Sequence, residues 1–438
     1  MPENDNVAHA EPQKEFFIDM LTRDIGLTEC ILDLIDNSIH SLIRTHHFDV
    51  MNIITGDQKP ALDHKPTITL NFSDSFFSIV DSCGGVEKKD ARNGVFLFGK
   101  KENEKGFAGL GLYGVGMKRA FFKLGRKIDF ISKTNGDIYQ IKIDVDEWRK
   151  EKDWTFPFAP EPEKKDLKTP GVAIKISNLL PDVAKRLSLI SFRNELVKEI
   201  QSSYALFIMI GLEITVNGKK AESRLPPFAS KRISPARKKL EVEGVDILII
   251  VGLTPKEMRE PQGWYVFCNG RMIVEADQSK LTGWGEDRFP VFANKFNHFL
   301  GLVYFSSMEL EKLPWTTTKS EVVKDSPVYQ AALNEMRIQA RPILDLLSSF
   351  YPSAPEEEKI VQRGLLFDTG TLTVDQLPKE ESLFRAEPIV QKPVEANINY
   401  KKPLTDVQKI RKRLGKPRMP YKELGEYTFE YFLEKECD

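Results

Sequence analysis

The chain has 438 residues, 41% of them hydrophobic, and a formal net charge of −1. That length supplies an ample core and two or three domains. The balanced charge excludes a global field that steers the chain to nucleic acid or acidic partners, so any such role falls to local basic clusters. The four cysteines, Cys30, Cys83, Cys268 and Cys437, form no C-x-x-C pair. This argues against a zinc site or disulfide framework and predicts reduced thiols in a cytoplasmic protein. The polar stretch 1–14 lacks an apolar h-region and no run is apolar for long enough to span a bilayer, so neither a signal peptide nor a membrane segment is predicted.

Residues 1–15 read as mobile. A helix is expected to begin near Thr28, where Ile31, Leu34, Ile35, Ile39 and Leu42 recur at helical spacing. Asp33 and Asn37 stand four apart on another face of it. A carboxamide oxygen suits a Mg²⁺ shell, and a carboxylate one turn away can polarise a water. Residues 67–72 and 76–80 read as strands joined by Ser73-Asp74, the second leading into Asp81-Ser82-Cys83-Gly84-Gly85. A carboxylate at a strand end can accept from an exocyclic amine such as that of adenine, and glycines let a flat base approach the backbone. A bare glycine turn is the other reading of that stretch.

Residues 94–116 are glycine-rich and end in Gly109-Leu110-Gly111-Leu112-Tyr113-Gly114-Val115-Gly116-Met117-Lys118, followed by a helix over 116–124. Closely spaced glycines expose N–H groups, and the N-terminus of a helix favours phosphate. The order is neither a Walker A loop nor a Rossmann fingerprint. Further strands are expected at 127–132, 138–145 and 172–177, and hairpins with a few helices predict an α+β sandwich rather than a doubly wound sheet. A second domain follows, with strands at 212–216, 244–252 and 264–269 and a helix after Ser326-Pro327 that Pro342 kinks or stops. From residue 351 prolines and acidic residues mark a linker. The tail pairs a basic run (Lys409, Arg411, Lys412, Arg413, Lys416, Arg418) with an aromatic, acidic stretch over 421–433.

Taken together, these residues resemble the GHKL ATPases, the group of gyrase B subunits, the 90-kDa heat-shock chaperone, histidine kinases and MutL. Asp33-x-x-x-Asn37, Asp81 to Gly85, Gly109 to Lys118 and Thr169-Pro170-Gly171 stand in the family's order. Trp264 to Arg271 looks like the Asn-Gly-Arg strand of the transducer domain in MutL-like and MORC-like proteins, and Leu313 to Lys319 like the loop carrying its lysine. The resemblance covers about residues 14–350 and implies a Bergerat-type α/β sandwich over 16–185 and a ribosomal S5-like transducer domain over 186–350; the linker over 351–400 and the basic, aromatic helical tail over 401–438 are read from composition alone. The resemblance also implies ATP and Mg²⁺ as ligands and ATP-dependent pairing of two copies. Asp33 would be the general base, Asn37 the Mg²⁺ ligand and Asp81 the adenine reader, with Gly85 near the base. Gly109, Gly111, Gly114, Val115 and Gly116 would meet the phosphates with Lys118 nearby, Thr169 would sit by the adenine, and Lys319 would stabilise charge on the γ-phosphate.

Three positions depart from the pattern: Asp33 stands where relatives have Glu, Cys83 replaces a glycine, and Val172 replaces a threonine. Asp is one methylene shorter than Glu, and a misplacement of about 1 Å can cost on the order of a hundredfold in rate. Glu29, one turn earlier, is an alternative base. The readings left open are a slow ATPase gating a nucleic-acid clamp or partner protein, as in DNA repair or phage defence, a nucleotide-gated module with negligible turnover, and a chaperone-like ATPase. Lys231-Arg232, Arg237-Lys238-Lys239 and the tail cluster are the candidate DNA contacts. The aromatic tail residues Tyr427, Phe429, Tyr431 and Phe432 are candidate anchors for a partner protein.

Overall fold

The computed structural model describes residues 13–46, 50–56, 65–98, 110, 114–162, 167–255, 261–349, 370–386 and 398–437. They fall into two compact units, 1–389 and 390–438. The first opens with α1 (Lys14–Thr22), α2 (Leu27–His46) and α3 (Val50–Thr55). Next come β1 (Thr67–Phe72), β2 (Phe76–Asp81), α4 (Lys88–Asp90), α5 (Gly116–Leu124), β3 (Gly125–Lys133), β4 (Ile138–Asp144) and α6 (Val145–Trp148). β5 (Gly171–Leu179), α7 (Pro181–Leu187), α8 (Ile190–Ser203), α9 (Ala205–Met209), β6 (Glu213–Val216) and β7 (Lys219–Lys220) complete the first half.

These strands form one seven-stranded sheet in the order β4-β3-β5-β2-β1-β6-β7. Every pairing is antiparallel except β1 with β6, which is parallel with Ile68 opposite Ile214. β6 therefore belongs to the first sheet, although the sequence reading places it in a second domain. A parallel partner needs a long crossover, here the whole of β2 through α9, and no local pattern announces it. The helix α2 buries Ile31, Leu34, Ile35, Ile39 and Leu42, the stripe its spacing predicts. It packs beside α5, which lies on β3 and β5.

The second half contains β8 (Phe228–Ala229), β9 (Ile233–Ser234), β10 (Ala236–Val242), β11 (Val245–Leu253), β12 (Gly263–Cys268), β13 (Arg271–Asp277), β14 (Phe299–Ser306) and α10 (Pro327–Ser349). β10 to β14 make a five-stranded sheet in the order β10-β11-β14-β12-β13. Its central strands β12 and β14 are buried at every position, which explains their unbroken apolar runs. The helix α10 covers β11 and β14 and continues through Pro342 to Ser349. On the second sheet, Leu248, Ile250, Phe267, Leu302 and Tyr304 gather with Ile54 of α3, Leu206 of α9 and Val374. One hydrophobic core runs through both halves.

Residues 370–386 fall in the stretch whose composition reads as linker, yet they dock on the second half. β15 (Thr371–Leu372) pairs with β8 and β16 (Arg385–Ala386) with β9. Val374 and Leu377 are buried. Lys379 Nζ donates to the Ile54 carbonyl at 3.0 Å, and Glu381 accepts from Lys238 Nζ at 3.1 Å and the Lys239 N–H at 3.0 Å. Two apolar side chains and these bonds outweigh the extended, proline-containing composition. Arg237, counted by sequence among basic surface residues, is buried, and its Nη2 donates to the Ile54 carbonyl at 3.0 Å.

The second unit contains α11 (Leu404–Arg413) and α12 (Tyr421–Glu436). The Arg411 guanidinium lies over the Tyr421 ring at 4.6 Å, and only Met419 and Leu424 are buried within 398–437. Among the described residues, no helix is long and apolar enough to cross a membrane.

Candidate functional site

The polar face of α2 carries the site. Asp33 and Asp36 are both buried, while Asn37 one turn after Asp33 is exposed. The carboxylate of Asp33 lies between two cations. Arg119 of α5 pairs with Oδ2 through its Nη2 and Nε, and Lys319 Nζ stands 3.6 Å from Oδ1. Gly116, the first residue of α5, lies against the same carboxylate: a Cβ there would come 3.1 Å from Asp33 Cγ and 3.2 Å from Oδ2. The glycine at the start of α5 thus permits close approach of helix and carboxylate.

Asp36 carries the denser set of bonds. Lys319 Nζ donates to Oδ2 at 2.6 Å, Arg271 Nη1 to Oδ1 at 2.5 Å, and the Tyr204 hydroxyl to Oδ1 at 2.8 Å. Burial pushes its carboxyl up, but Arg271 and Lys319 overcome that and hold it below the usual range. Arg271 is placed by the turn before it. Asn269 and Gly270 both adopt positive φ (46° and 90°), as a two-residue hairpin turn of this hand requires. The Asn269 amide donates to the Ser307 carbonyl at 3.0 Å and accepts from the Ser307 N–H at 3.0 Å. Lys319 is itself buried at φ 55°, in the left-handed region. Its N–H donates to the Thr316 carbonyl at 2.9 Å, which closes the backbone turn there, while Asp36 fixes the end of its side chain. By formal charge Asp33, Asp36, Arg119, Lys319 and Arg271 together carry two negative and three positive charges.

Asp81, at the end of β2, is the second centre. Its Oδ1 accepts from the N–H groups of Cys83 at 2.9 Å and Val172 at 3.2 Å, and its Oδ2 from the Ser38 hydroxyl at 2.7 Å. All three donors are neutral, and burial pushes this carboxyl up. Gly85 sits at φ 72°, where a Cβ would fall 2.1 Å from the Lys133 carbonyl oxygen. Its own carbonyl accepts from Ser41 at 3.0 Å and Arg44 at 2.9 Å. Gly171 likewise has no room for a side chain, since its Cβ would meet the Asp81 carbonyl at 2.0 Å. Arg44, Thr45, Gly84 and Gly85 open onto a cavity of about 600 Å³ that Lys88, Lys89 and the turn 134–137 complete.

The other sequence candidates fall as follows. Gly114 has φ 63° and Val115 precedes α5. Lys118 turns inward: its ammonium donates to the carbonyls of Val95 at 2.9 Å, Leu97 at 2.7 Å and Gly114, and burial lowers it to about 8. In this arrangement it ties residues 95–97 to α5. Thr169 is exposed, and the neighbouring Pro170 carbonyl accepts from the Gly84 N–H at 3.2 Å. Gly109 and Gly111 lie outside the described residues. Sequence reasoning did not single out Asp36, Arg119, Tyr204 or Ser38. The signal for Asp36 was its adjacency to Asn37, and for Arg119 its place one turn into the helix after the glycines.

Among the described residues, no three His, Cys, Asp or Glu side chains gather as a metal cluster. A Mg²⁺ ion held by one carboxamide, phosphate oxygens and water needs none. A comparison of the chain with curated proteins finds no match. Residues 25–171, from the start of α2 through Asp81 and α5 to Gly171, match the family model described as Histidine kinase-, DNA gyrase B-, and HSP90-like ATPase, and this segment is a GHKL-type ATPase domain.

Proposed function

We propose that the chain is a Mg²⁺-dependent ATPase whose adenine end is Asp81 and whose phosphate end is the polar face of α2. The observation that carries this reading is the meeting of Lys319, from beyond the matched segment, with Asp33 and Asp36 within it. A cation brought to α2 by the second sheet's half can answer to phosphate charge, which supports a transducer role for residues 186–350. Asn37, exposed beside the cluster, would hold Mg²⁺, and Asp33 would polarise the attacking water. Gly85 would pack near the base with Thr169 at its edge. Gly109, Gly111, Gly114, Val115 and Gly116 would meet the phosphates. ATP-dependent pairing of two copies would gate a nucleic-acid clamp or a partner protein in the cytoplasm, and the basic helix α11 supplies a phosphate-neutralising surface.

A steady-state ATPase assay of the wild type, Asp33→Asn and Asn37→Ala tests the enzymatic core. Turnover in the wild type that falls at least a hundredfold in Asp33→Asn is the expected result. A second reading, a nucleotide-gated module with negligible turnover, is favoured by the engagement of both Asp33 oxygens with cations. Equal, near-zero rates in all three proteins, with ATP still bound, would select it. Salt-dependent binding to duplex DNA, lost when Lys409, Arg411, Lys412 and Arg413 are neutralised, is expected of the clamp, whereas a chaperone-like ATPase would show none.

A further inference from the structure

We propose that Asp33 and the nucleotide's phosphates compete for the same two cations, Arg119 and Lys319, and that Arg119 sets the preference for a highly charged nucleotide. The inference rests on the ATP reading above. Asp33 places one oxygen on Arg119 and the other 3.6 Å from Lys319, with its carboxyl carbon against Gly116 at the start of α5. That is the position an anionic group would take when it meets the N-terminal turn of α5 and a cation together.

The two carboxylates of the cluster differ in how firmly they are held. Asp36 keeps Arg271 and Tyr204 when Lys319 leaves it. Among the described residues, Asp33 has Arg119 alone at hydrogen-bonding distance and only the longer contact to Lys319. A phosphate entering here therefore displaces Asp33 and leaves Asp36 in place. Its binding carries the cost of separating Asp33 from Arg119, and that separation frees the carboxylate to face water. The shorter side chain of Asp, relative to Glu, suits this role: it ends beside Arg119 on the neighbouring helix. Arg119 thus acts as a specificity-determining residue through its choice between an internal carboxylate and a ligand phosphate.

Calorimetric titration with adenylyl-imidodiphosphate plus Mg²⁺, and separately with adenosine, tests this on the full chain. Asp33→Asn removes the internal competitor while keeping the shape. It is expected to tighten the triphosphate analogue about tenfold and to leave adenosine unchanged. Arg119→Gln is expected to weaken the analogue, and in the double variant Asp33→Asn/Arg119→Gln the tightening disappears. An analogue affinity that is unchanged or weaker in Asp33→Asn, or an equal gain for adenosine, overturns the competition. If adenosine and the analogue bind none of the proteins, the ATP reading falls and the competition with it. Adenosine binding also serves as the control that a variant has kept the base end folded.

Discussion

Two buried aspartates, less than fifty residues apart in sequence, are treated in opposite ways by the fold. Asp36 is surrounded by Arg271, Lys319 and Tyr204, and the two cations hold its carboxyl down against burial. Asp81 is surrounded by two backbone N–H groups and a serine hydroxyl, and burial pushes its carboxyl up. One environment supplies cations in excess and suits ligand phosphates. The other supplies only neutral dipoles and suits an uncharged base that offers an amine. In the proposed reading the same side chain would serve the two ends of one ligand, because its neighbours set the direction in which its carboxyl shifts.

The sharpest way to break this comparison is to delete Asp36. Removing one partner of a buried ion pair leaves the others uncompensated, at a cost of about 3–5 kcal/mol. Asp36→Ala is expected to lose that much in urea unfolding, since Arg271 and Lys319 both remain buried. The sign with pH follows from the lowered carboxyl. The stabilisation is fully present above the ordinary aspartate value of 3.8 and is lost as pH falls through the lower folded value. The difference between wild type and Asp36→Ala should therefore shrink only below about pH 4. A loss under 1 kcal/mol at neutral pH would mean the cluster is not the joint between the two halves. Asp81→Asn comes next. It keeps an oxygen for the Cys83 and Val172 N–H groups but replaces the other with a donor facing Ser38. A drop in adenosine affinity of at least about tenfold is expected, with Asp36's cations and the unfolding cost of Asp36→Ala unaffected. Undiminished adenosine binding would remove Asp81 from the base end.

The two centres were also unequally legible in the sequence. Asp81 is announced locally, by a strand running into two glycines, and Gly85 and Gly171 prove to be positions where a Cβ collides with backbone. Asp36 is announced only by its adjacency to Asn37. Its partners stand 168, 235 and 283 residues away, and single-residue spacing carries no information over such distances. The same limit governs the fold. The α2 stripe and the hairpins follow from periodicity, whereas the parallel seat of β6 beside β1 joins segments 146 residues apart. The docking of residues 370–386 was hidden for a different reason. Their composition resembles a linker, and two buried apolar side chains, Val374 and Leu377, are enough to anchor a short strap whose strands have only two residues each.

Ser38 gives the finest cut between the centres. It follows Asn37 on α2, yet its hydroxyl turns to Asp81 Oδ2 at 2.7 Å, so the helix that carries the proposed phosphate end also supplies one of three donors to Asp81, the proposed base end. Ser38→Ala removes one neutral hydrogen bond to a buried group and is expected to cost about 1 kcal/mol. If that bond is what the serine contributes, the cost shrinks in an Asp81→Ala background, which offers the hydroxyl no partner, and a double-mutant cycle reads the coupling directly. Additive losses would place the serine's contribution in α2 itself, where its Oγ lies 3.5 Å from the Leu34 carbonyl. In the coupled case, the proposed base and phosphate ends share one rigid helix, and adenine held at Asp81 would fix where α2 presents Asp33 and Asn37.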